Sequence, residues 1–396
     1  MNQPLAGITV LDLTQIYNGP YATFMMARAG AEVIKIEPPG GEHLRKRQGA
    51  GGAALPFAML NANKKSITLN LKSEGGLGLL RDLVKQADIL VENFAPGVMD
   101  KLGIGATALH AINPKLIYAS SSGYGKTGPY RDYPAMDLTV QAMSGVMDTT
   151  GWPDQPPVKA GPAMCDFSAG VHLYGAVMTA LFERERTGRG RVVEVAMMES
   201  VYAFLASNLG LFFGSGGDAP NRTGNRHGGL SLSPYNVYPA SDGYIAIITN
   251  NEQHWQALVK ALGHPQLADE PKFKTVRDRC SNMDALDAAI AAITRDRSKS
   301  EIFDALIAAR VPCAPVRTME EVVNDPHLHA RGMLQWIDHP EYGRMVASAS
   351  PLHFEGTEQP EYRPSPKLGV DTRSVLADKL GLDAARIDAL AGAGAI

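Results

Sequence analysis

The chain is poor in cysteine and carries no strong charge of either sign. Cys165, Cys280 and Cys313 are the only three among 396 residues. An odd count without CxxC spacing argues against a disulfide framework and against a zinc cage. Lys and Arg total 38 against 41 Asp and Glu, a net charge of −3, and no basic block interrupts the mixture. Nucleic acid and anionic membrane surfaces select clustered cations, so neither is an expected partner. Long apolar runs are missing too. The most conspicuous uncharged stretch, 167–182, holds His172 and two glycines and is too short to span a bilayer. The N-terminus has no basic start or apolar core of a signal peptide. A soluble, cytoplasmic protein is the expectation.

Glycine and proline, by contrast, are plentiful, at 40 and 26 residues. That is about a sixth of the chain, against a usual ~12%. The excess has no period, and 45% of residues are hydrophobic, so it signals many turns between short elements rather than a fibre or a disordered chain.

The first half alternates strand and helix signals. Apolar runs at 8–13, 31–37, 66–71, 88–94 and 115–123 are separated by helical stretches, and 191–198 returns to the same pattern. Such spacing predicts an α/β fold: a doubly wound, mostly parallel, Rossmann-like sheet. Residues 167–186 read as one long helix, apolar on almost every side and therefore buried. Residues 214–233, rich in Gly, Ser and Asn, read as a linker. Beyond them, 233–248 looks like two strands around an Asp-Gly turn, followed by amphipathic helices. The expected organisation is a large domain of 1–213 and 326–396 with a smaller α+β domain over 226–325.

Three decoys fail on chemistry. The turn after the first strand has one glycine where a dinucleotide fingerprint needs three. Gly125-Lys126-Thr127 resembles the end of a phosphate-binding loop, but Ser120 stands where its first glycine belongs, and Pro129 and Pro134 forbid the helix that must follow. His327 and His329 are two apart, off the spacing of a helical metal pair. No metal site is expected.

Asp166 stands out. It follows a proline-punctuated approach, 156–165, at the mouth of the long helix. Its structural reading is an N-cap. Its functional reading is a partly desolvated carboxylate, oriented and kept ionised by backbone donors, that can attack an acyl centre and carry it.

The segment Asp166-Phe167-Ser168-Ala169-Gly170, with ALFERERTGRGRVVEVAMMES (180–200), resembles the class III CoA-transferases of the formyl-CoA and carnitine type. PLAGITVLDLTQIYNGP (4–20), GAEVIKIEPPG (30–40), NKKSITLNLK (63–72), ADILVENFAPGVMDKLG (87–103), NPKLIYASSSGYGKTGP (113–129) and PYNVYPASDGYIAI (234–247) resemble the same family in the same order. The resemblance implies that Asp166 is the nucleophile of a covalent aspartyl-CoA thioester. It also implies CoA as substrate and product, no tightly bound cofactor, small dicarboxylates such as oxalate or succinate as acids, and an interlocked homodimer. Matching segments place CoA contacts at Ile16 and Tyr17, from Leu69 to Lys72, and at Asn93, Phe94 and Ala95, and Asp137 is a further expected CoA-binding residue. Arg45, Lys72 and Lys101 are the cations expected near the CoA phosphates. Pro38 stands where several relatives carry arginine, and a glycine loop around Gly228 and Gly229 is expected to guard the site. The related α-methylacyl-CoA racemases pair the aspartate with a histidine. The segment that carries it aligns with Met136-Asp137, and methionine cannot carry a proton, so transfer is favoured over racemisation. A non-catalytic CoA-binding protein is the third alternative, and it would have no need of Asp166.

Overall fold

Short apolar runs buried on both faces are what a parallel sheet covered by helices requires, and six of them form one here. A computed structural model describes residues 3–46, 55–357 and 360–396. Strands β1 (Thr9–Asp12), β2 (Glu32–Glu37), β3 (Lys65–Thr68), β4 (Ile89–Glu92), β5 (Ile117–Ser122) and β6 (Val192–Ala196) lie in the order β3-β2-β1-β4-β5-β6. Every neighbouring pair is parallel. Alternate strand residues feed two cores. Leu11, Ile34, Ile67 and Leu90 pack with Leu80, Val375 and Leu376 on one face. Val10, Val33, Val91 and Ala119 pack with Ala22, Met26, Leu173 and Val177 on the other. The second face is thus covered by the first helix (Asn18–Arg28) and the long helix (Met164–Thr187).

These two helices approach closely. A Cβ at Gly170 would sit 2.6 Å from the carbonyl oxygen of Asn18, so only glycine permits this crossing. The long helix is not buried all round, as its composition suggests. Val171, His172, Gly175 and Phe182 lie on an exposed side, with Phe182 67% exposed. An apolar pattern identifies faces that can be buried, without saying which of them meets this core.

The chain divides into two compact units: Met1–Val140, Pro162–Val201 and Asp325–Ile396 in the first, Gln141–Gly161 and Tyr202–Asn324 in the second. The sheet belongs to the first. The second is built on an antiparallel sheet of Tyr235–Ala240, Gly243–Ile248 and Cys313–Pro315. Helices Glu252–Ala261, Met283–Thr294 and Lys299–Ala308 cover it around Trp255, Leu258, Ile290 and Leu306. The Gly/Ser/Asn-rich stretch is tied into this unit, with Arg222 paired to Asp148 and Arg226 to Asp284 and Asp287. Among the described residues no helix is long and apolar enough to cross a membrane.

Candidate active site

In an open parallel sheet, ligands bind beyond the C-terminal strand ends where the strand order reverses. Here that point lies between β1 and β4, and one side chain bridges it. Asn93, just past β4, accepts the N–H of Gln15 at 2.9 Å and donates to the Gln15 carbonyl at 2.8 Å. The turn after β1 is thereby fixed to the turn after β4. Ile16, next along, adopts φ +67°, a strained conformation for a β-branched residue. Its N–H is held by Glu42 at 3.2 Å.

Two cavities open on either side of this clamp, and Gln15 lines both. The first is a cleft of about 700 Å³ walled by Ile16, Asn18, Asn93, Ser121, Met136 and Asp166. The second is an apolar slot of about 500 Å³ bounded by Pro38, Leu69, Lys72, Phe94 and Leu102.

Asp166 is the only acid in the described lining of the cleft. It is not an N-cap. The long helix starts at Met164, with Ala163 in the cap position, so Asp166 is its third residue. The cap comes from elsewhere: Asp137 Oδ1 accepts the N–H groups of Cys165 at 2.8 Å and Asp166 at 3.1 Å. Helix side chains lean toward the N-terminus, which carries the Asp166 carboxylate past the helix mouth to the cleft. There it accepts no hydrogen bond from the described residues, and the residue is 8% exposed. Burial, and then the like charge of Asp137, push its pKa up to about 7. Backbone donors therefore do not keep it ionised, as the sequence suggested. Loss of solvent outweighs the helix terminus.

The other expected contacts are placed unevenly. Ile16 and Asn93 line the cleft; Leu69, Lys72 and Phe94 line the slot. Ala95 lies with Phe94 along a smaller polar recess that shares Ser121 and Ser122 with the cleft. Tyr17 stacks on Phe167, ring centroids 5.8 Å apart. Lys101 is exposed on a short helix and lines neither cavity. Arg45 is already engaged: its guanidinium makes a two-pronged contact with Glu37 at 2.7 and 2.8 Å and lies over the Phe57 ring. Asp137 serves the helix terminus. Gly228 and Gly229 form a turn in the second unit, where Gly229 donates to His227 Nδ1.

Sequence reasoning missed Asn18, Ser121, Met197, His43 and the cation Lys46 of the cleft. It also missed what supports the turn after β1. Asp12 and Lys64 form a fully buried ion pair at 2.9 Å. Thr14 and Thr23 donate to the same carboxylate, and Lys35 donates to the Thr14 carbonyl. Burial alone would raise the Asp12 pKa, but Lys64, Lys35 and Thr14 hold it well below the usual carboxylate range.

Comparison with known proteins decides the family. The model of CoA-transferase family III matches residues 5–372. The chain belongs to CoA-transferase family III. It is 40% identical to the acetyl-CoA:oxalate CoA-transferase of Acetobacter aceti, over 92% of this chain and 93% of that protein. It is 36% identical to the formyl-CoA:oxalate CoA-transferase of Streptomyces coelicolor, over 99% of each. The human succinyl-CoA:glutarate CoA-transferase is 32% identical, over 100% of this chain and 90% of that protein. Among solved structures, a CaiB/BaiF family protein from Brucella suis superposes with a TM-score of 0.84 at 34% identity, covering 96% of this chain and all of that one. The CoA-transferase fold is thus shared along essentially the whole chain.

Proposed function

We propose that this CoA-transferase moves CoA from an acyl-CoA donor to a small dicarboxylate such as oxalate or succinate, through a covalent aspartyl-CoA thioester on Asp166. The supporting observation is the Asp166 carboxylate itself, desolvated, without a donor among the described residues, and lining the cleft at the switch point. The names of the relatives, which act on oxalate and glutarate, support the class of acid. The apolar slot and Lys72 suit the adenine end of CoA, and the cleft suits its thioester end.

The steps balance without a metal or a nucleoside triphosphate. An Asp166 oxygen attacks the thioester carbonyl; the C–S bond breaks and CoA leaves as thiolate, giving a mixed anhydride. The thiolate attacks the aspartyl carbonyl and expels the donor acid as carboxylate. The acceptor carboxylate then attacks the aspartyl-CoA, and the released thiolate takes the new acyl group, restoring the Asp166 carboxylate. Desolvation strengthens this nucleophile, because fewer water hydrogen bonds must break before attack. Both intermediates hydrolyse if water enters, so turnover requires that water be kept from the cleft. An initial-rate panel of oxalate, succinate and glutarate against acetyl-, formyl- and succinyl-CoA tests the reading. New acyl-CoA that depends on the added acid is expected. Washing of solvent deuterium into the acyl α-carbon, with no transfer to any acid, favours the racemase alternative.

Only the ionised carboxylate attacks, so kcat/KM is expected to rise with pH through about 7. Asp137→Asn keeps an oxygen for the helix terminus and removes the like charge. The rising limb is then expected to move to lower pH, with CoA affinity unchanged; a pH–rate profile of both proteins checks this.

A homodimer accounts for apolar surface on each unit. Val171 and Phe182 on the first, and Tyr202, Phe204 and Phe213 on the second, are each about half exposed or more. A second copy of the chain would cover them.

A further inference from the structure

Asn18 begins the first helix, is 2% exposed, and lines the cleft with Asp166. Its Nδ2 donates to Ser121 Oγ at 2.8 Å, and Ser121 Oγ donates to the Val195 carbonyl at 3.0 Å. A serine hydroxyl has one proton, and Val195 takes it, so Ser121 can only accept from Asn18. That relay fixes which end of the amide is nitrogen. It leaves Asn18 Oδ1 buried with no donor among the described residues, a costly state for an amide oxygen in a folded protein. The backbone of Asn18 packs on Gly170, one helical turn from Asp166 and on the same face. Asn18 therefore lies on the side of the cleft that Asp166 lines.

Among the substrates, one can supply the missing proton. The dicarboxylates have no N–H and, ionised, no O–H. Acyl-CoA has an amide N–H on its pantetheine arm, two methylenes from the sulfur that Asp166 displaces. We propose that Asn18 recognises this arm: its side-chain oxygen accepts the amide N–H nearest the thioester. The inference rests on the acyl-CoA reading of the cleft and adds a specificity residue to it.

Calorimetric titration tests it with two ligands, CoA and an analogue in which that amide N–H is replaced by an ester oxygen. The wild-type protein is expected to bind CoA roughly tenfold more tightly than the analogue. In Asn18→Ala the ratio is expected to fall to about one, because CoA binding weakens and analogue binding does not. Ser121→Ala, which frees the amide to turn over, is expected to lower the ratio partway and serves if the alanine variant at position 18 does not fold. Equal binding of the two ligands by the wild type overturns the inference, as does a tenfold preference that persists in Asn18→Ala. Binding of neither ligand by the wild type overturns the acyl-CoA reading and this inference with it.

Discussion

Asp166→Asn is expected to abolish CoA transfer, by roughly a thousandfold or more, while making the protein more stable at neutral pH. The two effects have one cause. The Asp166 carboxyl titrates near 7 in the folded protein and near 3.8 when exposed. Between these values the folded state binds more protons than the unfolded state, so stability falls as pH rises from about 4 to 7, and the loss is complete above 7. Asparagine, nearly the same shape, never ionises. Its stabilising effect should be absent below about pH 4, grow across that window, and level off above pH 7 at between about 1 and 4 kcal/mol. Urea denaturation of both proteins at pH 5 and pH 8 checks the direction. A variant that is less stable at pH 8 would show that Asp166 is a structural carboxylate. The combination of lost activity and gained stability marks a group held in a site that chemistry, not folding, requires.

Lys64→Met is expected to carry the largest stability loss. Both members of the Asp12–Lys64 pair are fully buried, and removing the lysine leaves a carboxylate in the interior with only hydroxyl and amide donors and the neighbouring Lys35. Such losses cost about 3–5 kcal/mol. Asp12→Asn combined with Lys64→Met replaces the pair by neutral groups and should recover a large part of that loss; a denaturation cycle over the four proteins measures the coupling. The pair also matters to the site. Asp12 ends β1, and the next residues form the turn that brings Gln15 and Ile16 to the cleft. A surviving single variant should therefore show a raised KM for acyl-CoA before any fall in kcat.

The parallel sheet was legible because its strands are short apolar runs at regular intervals, each flanked by turn residues. Asp166 was legible as a position, from its place after the proline-rich approach and from the resemblance around it. Its surroundings were not. The cap that displaces it from the N-cap role comes from Asp137, nearly thirty residues earlier, and no local pattern links the two. Arg45 reads as a free cation in sequence, yet Glu37 at the end of β2 takes its guanidinium. Asn18 reads as a turn residue beside Gly19, and its meaning depends on Ser121, more than a hundred residues on. The long helix shows the same limit. Its apolar residues mark several faces, and the sheet uses only some of them. In each case the missing information is a contact between segments distant in the chain.

Hydroxylamine trapping bears most directly on covalent catalysis. The protein is incubated with an acyl-CoA donor, treated with hydroxylamine, digested and analysed by mass spectrometry. A hydroxamate at Asp166, dependent on acyl-CoA and absent from Asp166→Asn, is the predicted result. Full carboxylate-dependent transfer with no adduct at Asp166 would contradict it.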